Sequence, residues 1–133
     1  MEIVQGGYTI RKMVAGSGGG SKGDVAVVNS NKAVKAATGP TAGTVLGLFL
    51  EDVAENGIAL IAVPDKNAII RAPYIGTTLK SSLADSDLGK VFGLKDEKSI
   101  YLDDTTGAVC ICQSYDNENK TIDFVFTQAA TYW

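Results

Sequence analysis

Thr121-Ile122-Asp123-Phe124-Val125-Phe126-Thr127 decides the fold class. In an extended chain Ile122, Phe124 and Phe126 fall on one face, and Asp123, Val125 and Thr127 on the other. That alternation marks a strand with one side on a core. The acidic turn Asp116-Asn117-Glu118-Asn119 precedes it, and Ala108 to Tyr115 reads as the strand before the turn. Ser99 to Leu102 and Lys90 to Leu94 read as two more strands, with Asp103-Asp104-Thr105-Thr106-Gly107 as a further turn.

The pattern continues toward the N-terminus. Ala68 to Ala72 runs to Pro73, which suits a strand end or edge. Before the turn Pro64-Asp65-Lys66-Asn67 lies Ile58-Ala59-Leu60-Ile61-Ala62-Val63, a continuous apolar run that reads as a fully buried strand. Asn56-Gly57 is a strong turn signal between it and the apolar run Thr44 to Leu50. Asp24 to Val28 and Lys32 to Ala37 flank Asn29-Ser30-Asn31 as a hairpin. Only Ser81 to Gly89 departs from this pattern. Ser82, with Asp85 three residues on, fits a helix start and Gly89 a stop. Short strands, frequent turns and no long helix predict an all-β sandwich or small β-barrel with at most one short helix.

A chain of 133 residues suits one domain, large enough to bury roughly two-thirds of its unfolded surface. Apolar residues make up 45% and charged residues 20%, which excludes wholesale disorder. The chain divides near residue 22. Residues 1–21 read as an extended N-terminal arm ending in the linker Gly16-Ser17-Gly18-Gly19-Gly20-Ser21, and residues 22–133 as the β-barrel body. A Gly/Ser run behaves as flexible coil, so residues 1–15 are expected to be tethered to the core rather than built into it.

Much chemistry is excluded by residue type. There is no histidine, so Ser–His and Cys–His nucleophile systems are impossible. Cys110 and Cys112 are the only cysteines. Two apart in a strand, they share a face and read as buried free thiols; one such pair does not complete a zinc site. Gly18-Gly19-Gly20-Ser21-Lys22-Gly23 formally matches a dinucleotide fingerprint but lacks the strand before and helix after it. Asp85-Ser86-Asp87-Leu88-Gly89 lacks the remaining ligands of a calcium loop. The acidic turns read as solvated, and no cofactor or metal is expected. The net charge of −3 with scattered lysines argues against nucleic-acid binding. No apolar stretch is long enough for a membrane helix, and the N-terminus does not read as a signal peptide.

Two segments suggest binding. In the arm, Ile3, Val4, Tyr8, Ile10, Met13 and Val14 are apolar, and Tyr8 and Ile10 alternate with Thr9 and Arg11. Such a strand suits addition to the edge of a neighbour's sheet; pairing with its own domain as a first strand is the equal alternative. At the C-terminus, Tyr132 and Trp133 are residue types favoured as interface anchors, the alternative being rings that fold back onto the barrel.

The stretch from Lys22 to Thr127 resembles small bacteriophage head-decoration proteins of the capsid cement type. The resemblance rests on Gly23-Asp24-Val25-Ala26-Val27, Val45-Leu46-Gly47 before the Asn56-Gly57 turn, Leu88-Gly89-Lys90-Val91-Phe92, the Thr106-Gly107-Ala108 turn, and the strand after Asp116 to Asn119. It implies a non-enzymatic structural protein made in the host cytoplasm and carried on the capsid exterior. Its expected partner is the major capsid protein, and its expected state there a homotrimer. The competing expectations are a tail or baseplate module, a carboxylate hydrolase, and a carbohydrate- or small-ligand-binding barrel. The last would need exposed aromatics, drawn from Tyr74, Tyr101, Tyr115, Tyr132 and Trp133, around a concave site.

Overall fold

The computed structural model of the protein describes residues 1–37, 43–106, 109–128 and 130–132. It is all-β. Among the described residues its strands are Glu2–Gln5 (β1), Tyr8–Val14 (β2), Val25–Asn29 (β3), Lys32–Lys35 (β4), Val45–Phe49 (β5), Ile58–Pro64 (β6), Ile69–Ile75 (β7), Val91–Leu94 (β8), Ile100–Tyr101 (β9), Cys110–Asp116 (β10) and Thr121–Phe126 (β11), with one 3-10 turn at Asp85–Asp87.

Five strands close a barrel in the order β7, β11, β10, β8, β9, and β9 returns to β7 through the parallel pairs Tyr74↔Ile100 and Ile75↔Tyr101. Closure removes the sheet edges. The inward residues follow the alternation of the sequence: Ile122, Phe124 and Phe126 from β11 meet Ile70, Ala72 and Tyr74 from β7 and Phe92 and Leu94 from β8. The rings of Phe124 and Phe126 pack edge to face, 5.3 Å between centroids. Cys110 and Cys112 are free and buried in the same core.

β1 adds to β7 outside that ring, and the remaining five strands form a sheet in the order β2, β6, β5, β3, β4. One face sends Val25, Val45 and Leu48 into the barrel core. The opposite face builds a second, smaller core from Ala15, Ala26, Ala33, Leu46, Phe49, Ala59 and Ile61. Alanine recurs there because the sheet curls tightly: Ala15, just past β2, bridges Ala33 of β4, and the Gly16 N–H donates to the Ala33 carbonyl at 2.7 Å. The β3–β4 hairpin turns on Ser30 and Asn31, both in the left-handed region (φ 50° and 62°), as a two-residue loop with matching twist requires. Asn56 also lies there, at φ 67°, in a turn closed by the Gly57 N–H on the Ala54 carbonyl.

Four expectations are corrected. Residues 1–21 are not a tethered arm. β1 pairs with β7 through Glu2↔Arg71 and Ile3↔Ile70, β2 pairs with β6 from Tyr8↔Pro64 to Val14↔Ile58, and the Met1 ammonium donates to the Gly23 carbonyl at 2.9 Å. Nor is the Gly/Ser run a flexible linker. Gly20 exchanges hydrogen bonds with Val53 and lies under the Phe49 ring so closely that a Cβ would stand 2.6 Å from Cζ. Glycine is there for close approach, which composition does not distinguish from flexibility. Third, Ile58–Pro64 is not buried throughout: Ile58 is exposed and Leu60 half-buried, because only the other face meets the second core. Fourth, the short helical turn starts from Ala84, not Ser82, with the Ala84 N–H donating to Asp87 Oδ2 at 2.8 Å. Gly107, Ala108 and Trp133 lie outside the described residues.

Candidate binding face

β2 stands at the edge of its sheet, and its register with β6 decides what it shows. Tyr8, Ile10, Lys12 and Val14 share the face of Pro64, Ala62, Leu60 and Ile58. Pro64 and Ala62 are buried, but the far end of this face is open: Ile10 is 53% exposed, Val14 38% and Ile58 57%. Tyr8, 48% exposed, borders a cavity of about 150 Å³ lined by Met1, Ile3, Leu48, Leu50 and Ala62. The result is an apolar strip on two adjacent strands, with Lys12 in its middle. Among the described residues Lys12 has no ion-pair partner.

The backbone of β2 is open along the same edge. Ala15 bonds toward β6, accepting from the Asn56 N–H and donating to the Gly57 carbonyl. Alternation then turns the N–H and C=O of Tyr8, Ile10 and Lys12 away from β6. No described strand pairs with them there.

The structure sorts the residues expected to bind a partner. Tyr8, Ile10 and Val14 come together on the open strip. Met13 faces the second core instead, partly buried, and Ile3 packs against the barrel core. Val4 is exposed on β1, which pairs with β7 and not with the β2–β6 pair. At the C-terminus the Tyr132 N–H donates to the Val45 carbonyl at 2.8 Å, and its ring lies 5.1 Å from the Arg11 guanidinium. That segment folds back onto the body while leaving the ring 45% exposed.

Sequence reading missed Ile58 and Leu60, whose place on the open face depends on the register with β2. It also missed Leu79, 89% exposed in a turn where the Thr77 N–H bonds the Lys80 carbonyl. A lone leucine within Thr77-Thr78-Leu79-Lys80-Ser81-Ser82 was the available signal.

The charged groups serve the framework. Asp87 is almost fully buried; burial pushes its carboxyl up, but hydrogen bonds from Lys80, the Ala84 N–H and Lys90 outweigh this and hold it below the usual range. Asp24, equally buried, accepts from Lys98 at 2.5 Å. Arg71 grips Asp123 with two hydrogen bonds, 2.8 and 3.0 Å, across β7 and β11. Among the described residues no three Cys, Asp or Glu side chains converge as a metal site, and no helix is long and apolar enough to cross a membrane.

Among the described residues, the cavity beside β7, β10 and β11 has its polar groups engaged. This cavity, of about 300 Å³, is lined by Arg71, Ser114, Tyr115, Asp116, Asn119 and Asp123, whose carboxylates already accept from Arg71, Ser114 and Asn119. Of the tyrosines that a ligand site would draw on, Tyr115 borders this cavity, and the others do not join it there. Tyr74 is buried and donates to Asn117, Tyr115 donates to Asp85, and Tyr101 lies under the Lys95 ammonium. No protein-family model matches the chain, and no curated protein matches it in sequence.

Proposed function

We propose that the protein is a non-enzymatic capsid decoration protein. It binds the outer surface of a phage head, bridges major capsid protein subunits as a homotrimer, and resides on the virion. The observation that carries this reading is the open apolar strip of Tyr8, Ile10 and Val14 on the edge strand β2, with Ile58 on β6 beside it. Contiguous exposed apolar surface is a signature of protein interaction. A body with one modest binding strip gains strength from repetition on a symmetric lattice, where effective concentration multiplies weak contacts. The resemblance of residues 22–127 to the cement family gives the partner class, and the cavity beside β7, β10 and β11, its polar groups already engaged, offers little to a ligand-binding barrel.

The test is co-sedimentation of the purified chain with expanded heads assembled from the cognate major capsid protein, alongside its mass in solution by light scattering. Saturable binding in multiples of three per local symmetry axis supports the reading. Absence of binding to heads overturns it.

A further inference from the structure

We propose that the open edge of β2 accepts an extended strand from a protein partner, and that this strand carries an acidic residue opposite Lys12 with β-branched residues on either side. The inference deepens the decoration reading and rests on it for the partner's source, the capsid surface. It reverses the expected role of residues 1–21: they do not donate a strand, because β1 and β2 are already paired within the chain; they form the edge that receives one.

Three observations converge. The N–H and C=O groups of Tyr8, Ile10 and Lys12 point outward from β2 and are unpaired by any described strand, a template for main-chain pairing. The exposed side chains of that edge give a readable order, apolar Ile10, cationic Lys12, apolar Val14, with Ile58 widening the apolar surface behind them. Charge then selects the occupant. The β2 of a second copy, Tyr8-Thr9-Ile10-Arg11-Lys12-Met13-Val14, carries two cations and no carboxylate, so it leaves Lys12 unneutralised in any register. An acidic strand instead neutralises Lys12 and seats its β-branched neighbours against Ile10 and Val14. The edge is open only so far, since Ala15 and Gly16 are already joined to Ala33 of β4. The acceptor is therefore a short segment, in which one charge sets the register.

The probe is a blocked peptide, acetyl-Thr-Val-Thr-Glu-Thr-Val-Thr-amide, titrated into the isotope-labelled full chain and followed by amide shifts. Shifts and slowed hydrogen exchange are expected at Tyr8, Ile10 and Lys12. Lysine in place of the central glutamate should weaken binding about tenfold, and Lys12→Glu should invert that preference. Ile10→Pro removes an outward N–H that β6 does not use, so it should abolish peptide binding with the β2–β6 amide pattern preserved. No shifts along β2, or binding indifferent to both charge reversals, overturns the proposal. Head co-sedimentation separates the two claims. Retained head binding by Ile10→Pro sinks the strand-acceptor role alone, and peptide binding by a chain that ignores heads sinks the decoration reading alone.

Discussion

Val14 of β2 and Ile58 of β6 stand directly opposite each other, and both show their side chains to solvent, 38% and 57% exposed. Cross-strand apolar pairs usually stabilise a sheet by covering each other over a core. Neither member of this pair belongs to a core. Ile58→Glu is therefore expected to change the urea unfolding free energy by no more than about 0.5 kcal/mol. A loss beyond about 2 kcal/mol, the range of core truncations, would mean that Ile58 is packed.

Gly20 tests whether residues 16–21 are linker or framework. The Phe49 ring leaves no room for a Cβ, so Gly20→Ala should destabilise by about 1–3 kcal/mol through overpacking. Gly19, at φ 63° with the Val53 carbonyl 2.2 Å from a would-be Cβ, should tolerate alanine no better. Chemical denaturation reads both; unchanged midpoints would restore the flexible linker.

Much of this fold was legible because strand alternation and turn chemistry are local. Ile122, Phe124 and Phe126 do line the barrel, and Ser30-Asn31 and Asn56 do turn the chain in the left-handed region. The fate of residues 1–21 was not legible, because pairing of β1 with β7 and β2 with β6 joins segments far apart in sequence. Register has the same non-local character. It put Tyr8, Ile10 and Val14 on the open strip with Ile58, and sent their neighbour Met13 inward.

Asp87 should give the stability a specific acid dependence. Its folded carboxyl lies below the usual range because the hydrogen bonds from Lys80, Ala84 and Lys90 outweigh the cost of burial. That stabilisation is fully present above the ordinary carboxylate value of about 3.9 and is lost as pH falls through the lower folded value. Asp87→Asn should cost about 1–3 kcal/mol at pH 7, and the gap to wild type should shrink in acid. Urea midpoints across pH 7 to pH 2 check this; a constant gap would assign the loss to packing.

Burial pushes the Cys112 thiol up to about 11 and the Cys110 thiol higher still. The thiolate is the reactive form, so both should resist a disulfide reagent in the native chain. Both should react at the global unfolding rate in urea. Rapid native labelling would place an opening at β10.

Head binding should turn on the strip shared by β2 and β6. The most direct measurement is co-sedimentation with undecorated heads of the wild-type chain and of Ile58→Glu at matched concentration. The wild type is expected to bind saturably, and the variant, folded with an unchanged unfolding midpoint, to lose at least about tenfold in affinity, since a charge is desolvated in an apolar contact. Equal binding by the two chains, or none by the wild type, would contradict the account.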